Sequence, residues 1–106
     1  MTRSAKLDEN ALAAAEAELS RSGWRLSEDK AALEKNFRFK GFPEAMTFMS
    51  MAAWHAQAKD HHPEWFNVYN KVDVRLTTHD ADGITELDVA LARHMDEAAA
   101  YAGEAA

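Results

Sequence analysis

No cysteine occurs in this chain. Disulfides and thiolate metal sites are thereby excluded, and the redox compartment is left open. Positive charge is in short supply. Twelve Lys and Arg against 18 Asp and Glu give a formal charge of −6, and no basic cluster offers itself to a phosphate backbone, so nucleic acid is excluded as a direct partner. Long apolar runs are missing as well. No stretch approaches the roughly 18 residues of a membrane span, and the opening "MTRSAKLDEN" has no apolar secretory core. A cytoplasmic protein without a membrane partner is the expectation. No repeat, linker or low-complexity segment interrupts the chain. What remains is 106 residues, 47% of them hydrophobic, enough for one domain over residues 1–106 and too few for two.

Helical periodicity marks three segments. Asp8 is an N-cap for a helix over residues 9–22, with Leu12, Ala15 and Leu19 on one stripe and Gly23 as its stop. A second helix follows Gly41 and has Pro43 in its first turn. Ala45, Phe48, Met49, Ala52 and Ala56 form its core stripe, while Met46, Met51 and Trp54 make it apolar nearly all round. Such a helix is either deeply buried or meets another subunit. In the third, Thr85 and Asp88 resemble a capping box, and Ile84, Leu87, Leu91, Met95 and Ala98 give a buried stripe. The tail "AAAYAGEAA" is expected to fray.

Between the helices lie strand patterns. A short strand at residues 24–26 precedes a second one ending in Phe37, Arg38, Phe39 and Lys40, with residues 31–34 ambiguous because their types favour helix. "EWFNVY" and "VDVRLTTH" read as a hairpin turning at Asn70-Lys71. In its second arm Val72, Val74, Leu76 and Thr78 face the core, and Asp73, Arg75, Thr77 and His79 face away. The order predicts an α+β domain: a four-stranded antiparallel sheet with its helices packed on one face.

Three of the five histidines flank that hairpin. Pro63 pushes His62 toward extended geometry. A turn at Asn70-Lys71 sets opposing positions to sum to 141, which places His62 across from His79, with His61 beside them. Imidazoles titrate near neutral pH and so suit proton transfer in both directions. Trp65 and Phe66, on opposite faces of their strand, offer one flat wall and one core contact. A metal site drawing on Asp60, Glu64 and Asp82 fits less well, since adjacent histidines in extended chain diverge and no HExxH or i, i+4 pair exists; no metal ligand is assigned. His55 and His94, both mid-helix, read as solvated residues.

"DHHPEWFNVYNKV", followed by "TTH" and "GITELD", resembles the signature of the pterin-4a-carbinolamine dehydratases. Gly23-Trp24 and the run Phe37, Phe39, Phe42, Ala45, Phe48, Met49, Ala53 extend the resemblance over nearly the whole chain. It implies dehydration of 4a-hydroxytetrahydrobiopterin to quinonoid dihydropterin, following an aromatic amino acid hydroxylase. Hydroxide leaves C4a and a proton leaves N5, both proton transfers, so no cofactor is required. Carried over, the resemblance makes His61 and His79 the main acid/base pair and His62 a substrate-binding residue that assists. Trp65 would border the pterin, and Asp88 occupies the acidic position that closes the pattern, although its spacing from Thr85 also reads as capping. Gln57 stands where the family commonly has Glu, four residues before the first histidine. A neutral amide orients a ring without the charge effect of a carboxylate, which implies a shifted pH profile rather than lost activity. The family resemblance also implies a homotetramer or homodimer. Its rivals are a non-catalytic dimerization and docking module of the same fold, and an enzyme of molybdopterin or related pterin metabolism.

Overall fold

The computed structural model describes residues 4–105; residues 1–3 and 106, the outer ends of the opening segment and the tail, lie outside the described residues. The elements run α1 (Glu9–Ser20), β1 (Arg25–Leu26), β2 (Leu33–Arg38), α2 (Phe42–Ala58), β3 (Glu64–Val68), β4 (Lys71–Leu76), a 3-10 turn (His79–Ala81) and α3 (Glu86–Ala102). The strands form one antiparallel sheet in the order β1-β2-β4-β3, the predicted α+β architecture.

Strand alternation decides which side of the sheet is covered. Leu33, Lys35 and Phe37 of β2 and Val72, Val74 and Leu76 of β4 are buried, while Asn36, Arg38 and Asp73 between them are exposed. All three helices add to the core on the covered side, with Leu19 from α1, Phe48 from α2 and Met95 from α3. Phe48 stacks against Phe37 and Phe39 at centroid distances of 4.5 and 5.1 Å, aromatic pairs worth roughly 0.5–1.5 kcal/mol each beyond area burial. Polar links tie the open side together. Arg25 donates to Asn36, Asn36 to Asp73, and Arg75 bridges Glu34 and Glu64.

Local chemistry moved several predicted boundaries. α1 stops at Ser20 rather than residue 22, because Gly23 takes a φ of +101° and the Trp24 amide closes back on the Leu19 carbonyl at 3.1 Å. Residues 33 and 34 are strand despite their helical propensity. Leu33 pairs with Leu26 on one side and Leu76 on the other, and tertiary pairing overrides propensity.

The hairpin turn is Tyr69-Asn70, not Asn70-Lys71, so opposing positions sum to 139, as in Trp65 opposite Val74. Asn67 and Asn70 fix this choice. The Asn67 amide donates to the Tyr69 and Lys71 carbonyls, and Asn70 exchanges hydrogen bonds with the Phe39 backbone. Through Ala105 the tail does not fray either. α3 is capped by Gly103 at φ +91°, Glu104 bridges to Phe39, and the Ala105 amide donates to the Arg38 carbonyl at 2.7 Å.

Lys35 points from β2 into the covered side and is only 5% exposed. Its ammonium meets Asp96 at 3.0 Å and Glu104 at 3.4 Å and lies 4.3 Å from the Phe37 ring centre. The Trp24 indole N–H donates to the same Asp96 carboxylate at 2.9 Å. Breaking a buried pair strands the remaining charge, whereas replacing the charge by a hydrophobe need not destabilise. Asp96→Ala should therefore lower unfolding free energy by about 2–3 kcal/mol in denaturant titration, and Lys35→Met by clearly less. Equal losses would contradict this account.

His55 and His94 are not simply solvated. Their rings stack between α2 and α3 at a centroid distance of 4.3 Å, and His94 Nε2 lies 3.2 Å from the Met51 carbonyl. Burial, then the charges of His94 and Lys59, hold His55 below its ordinary pKa, with Glu97 opposing them. A histidine with a depressed folded pKa is neutral in the fold, so its share of stability is present above the ordinary range near 6.5 and falls as acid drives protonation of the unfolded chain. Melting temperature should fall between pH 7.5 and 5.5, and His55→Gln should flatten part of that fall.

Candidate active site

The end of α2 sets the directions of two histidines. Lys59 caps the helix, Asp60 takes a left-handed φ of +50°, the Asp60 amide donates to the Gln57 carbonyl and the His61 amide to the Ala56 carbonyl. This paired closure is a Schellman motif, which turns the residue after the left-handed position back onto the helix. His61 is accordingly buried, at 6% exposure. Pro63 then holds the chain extended, and successive side chains in extended chain point apart. His62 faces outward and is exposed.

His61 meets a buried carboxylate. Its Nε2 lies 2.6 Å from Asp88 Oδ1, and Asp88 has no exposed surface. The other carboxylate oxygen accepts from Thr78 Oγ1 at 2.7 Å and from the Thr85 amide at 2.9 Å. Thr78 and Thr85 hydroxyls are 2.8 Å apart, and Thr85 Oγ1 also accepts from the Leu87 amide. Asp88 thus closes the predicted capping box and holds His61 at once. In the neutral ring, a carboxylate accepting at Nε2 puts the proton on that nitrogen and leaves the lone pair on Nδ1.

β4 leaves the sheet after Leu76. Thr77 Oγ1 donates to the Ala31 carbonyl at 2.7 Å, and Thr78 pairs with Gly83 across a tight loop. His79 therefore opens the 3-10 turn rather than ending a strand, and the register puts it nowhere opposite His62. Its side chain is 82% exposed, with Nε2 3.1 Å from Glu64 Oε2. All three histidines nevertheless share one cavity of about 280 Å³, whose wall Asp60, Thr77, Thr78 and Asp80 complete.

Gln57 reaches His62 instead of His61, its Oε1 lying 3.0 Å from His62 Nε2. Trp65 lies on the helix side of the sheet, packed against the core and half-buried. It lines a neighbouring cavity of about 380 Å³ with Gln57, His62, Pro63 and Trp54. Phe66 is 65% exposed on the open face, away from both cavities. Among the described residues no group of three or more His, Asp or Glu side chains forms a metal-holding cluster. Sequence reasoning passed over Thr78 as a site residue; its signal was a hydroxyl at a buried position of the strand alternation. Glu64 stood only as a possible metal ligand and is instead the partner of His79.

Known proteins are similar to this chain over most of its length. The sequence profile of the family described as pterin 4 alpha carbinolamine dehydratase matches residues 5–98. The chain belongs to this family. A "Putative pterin-4-alpha-carbinolamine dehydratase" of Rhizobium meliloti is 59% identical over 97 residues, covering 92% of this chain and 91% of that protein. One of the same description from Sinorhizobium fredii is 57% identical over 99 residues, with 92% and 91% covered. The crystal structure of a transcriptional coactivator/pterin dehydratase from Brucella melitensis superposes with a TM-score of 0.79 at 44% identity, covering 89% of this chain and 98% of that one. No helix of this dehydratase-family chain, among the described residues, is long and apolar enough to cross a membrane.

The Gln57 contact has a spectroscopic consequence. A carboxylate beside an imidazole favours the protonated ring. In Gln57→Glu, followed by NMR titration, the His62 resonances should titrate at higher pH than in the native chain while those of His61 stay in place. A shift confined to His61 would refute the contact.

Proposed function

We propose that the chain is a hydro-lyase that dehydrates 4a-hydroxytetrahydrobiopterin to quinonoid dihydropterin, recycling tetrahydrobiopterin in the cytoplasm by histidine acid/base chemistry. The observation that carries this reading is the convergence of His61, His62 and His79 on one cavity, with His61 held by a buried carboxylate. Family membership and the names of the relatives support the substrate class.

The proton balance matches such a site. Hydroxide departs from C4a and needs one proton to leave as water; N5 gives up one proton as the C4a–N5 bond gains double-bond character. No net proton is consumed, and no step requires a metal or an organic cofactor. His61 presents Nδ1 as an acceptor, and Asp88 stabilises the imidazolium that results, which suits it to take the N5 proton. His79, on the far wall and paired with Glu64, delivers a proton to the departing hydroxide. His62 binds the substrate and assists transfer, with Gln57 holding its ring. Trp65 borders the heterocycle.

A carbinolamine of this kind arises at an aromatic amino acid hydroxylase, so functional coupling to such an enzyme belongs to the proposal. So does a homotetramer or homodimer, supported by Phe42 and Met46, which stand 47% and 40% exposed on α2. The same exposed side chains favour the rival reading, a non-catalytic dimerization or docking module. The description of the Brucella melitensis protein as coactivator and dehydratase keeps that rival in view.

Rapid-mixing dehydration assays separate the two. Wild type should accelerate dehydration, and His61→Ala, His79→Ala and Asp88→Asn should each lower the rate about 10²–10⁴-fold. Wild type and variants equally inert would hand the case to the docking module.

A further inference from the structure

The two cavities meet at His62, and their chemistry differs. The reaction cavity is walled by imidazoles, hydroxyls and the carboxylates of Asp60 and Asp80. Its neighbour is walled by Trp54 and Trp65, by Ala53, Ala56 and Pro63, and by one neutral amide, that of Gln57. His62 closes it on the shared side, and no Lys, Arg, Asp or Glu lines it. Trp54 is 77% exposed, a large apolar surface left in water at the edge of a concave site. An indole in that position gains free energy when an apolar group covers it.

We propose that this second cavity is a specificity subsite, with Trp54 as its outer wall, that takes the C6 substituent of the pterin and selects short neutral groups over anionic ones. The inference rests on the dehydratase reading for its substrate class. C6 neighbours N5. In the proposed pose N5 and C4a lie among His61 and His79 and the C6 substituent passes His62, the wall the two cavities share. Two independent features set the preference. Besides the shared His62, the subsite offers indole and methyl surface and no Lys or Arg to pair with a phosphate ester, and Asp60 and Asp80 of the adjoining reaction cavity repel one.

Equilibrium titration with stable dihydropterins tests this without depending on turnover. Three probes differ only at C6: unsubstituted, a short hydroxyalkyl chain, and the same chain as its phosphate ester. Native protein should bind the hydroxyalkyl form about 10-fold tighter than the unsubstituted one and the phosphate ester weakest of the three. In Trp54→Ala the hydroxyalkyl advantage should shrink to within about 2-fold by the same per-group energetics. Trp54→Phe, which keeps a flat ring, should retain most of it. A change in assembly would alter all three affinities alike, whereas loss of the subsite alters their ratio. Affinity independent of the C6 group, or a ratio unmoved by Trp54→Ala, overturns the subsite. Selective binding without any dehydration would overturn the proposed function and leave the subsite standing, and failure of all three probes to bind would sink both.

Discussion

A single buried carboxylate organises this molecule. Asp88 has no contact with solvent, and a charge so placed costs several kcal/mol unless it is paired and hydrogen-bonded. It is satisfied by three donors from three parts of the chain: the His61 ring just after α2, the Thr78 hydroxyl just after β4, and the Thr85 amide at the start of α3. Each segment is thus drawn to a common point. The junction where helix and sheet meet is also where the imidazoles gather, so the bonds that join these segments also hold His61 at the cavity. Removing the carboxylate would leave donors unpaired at roughly 1–3 kcal/mol apiece.

The rest of the site follows from how neighbouring elements end. α2 closes through a left-handed Asp60, and Asp is among the few residue types that accept that conformation without heavy strain. β4 ends where Thr77 bonds sideways to Ala31, which frees the chain to curl into the short turn bearing His79. One imidazole is locked inside, one stands at the junction of two cavities, and one is held at the rim by Glu64. Their different surroundings suit chemically similar rings to the different roles proposed for them.

Much of this was legible in the residues. Alternation gave the covered face of β4 correctly down to Thr78, the periodic stripes of α2 and α3 were buried almost as read, and Asp8, Pro43 and Thr85 marked their helix starts. The His-His-Pro-Glu-Trp run pointed to the family. What sequence did not disclose depended on long-range partners. The hairpin slipped by one position on its turn because Asn70 is engaged by Phe39, thirty-one residues earlier. Pattern reading has no access to such a bond. Gln57 was paired with the wrong imidazole because helical spacing says nothing of a Schellman closure that reverses the chain. The stacking of His55 on His94 and the pinning of the tail by Glu104 likewise join residues that no local rule connects.

The closure of α2 also limits what change the chain can tolerate there. Between the left-handed Asp60 and Pro63 the chain carries His61 inward and His62 outward, with the helix stop fixing one end and the proline the other. Inserting or deleting one amino acid in that bridge would exchange the inward and outward imidazoles, unhooking the carboxylate from its ring while leaving composition almost untouched. Segment length there is therefore as much a part of the candidate site as residue identity.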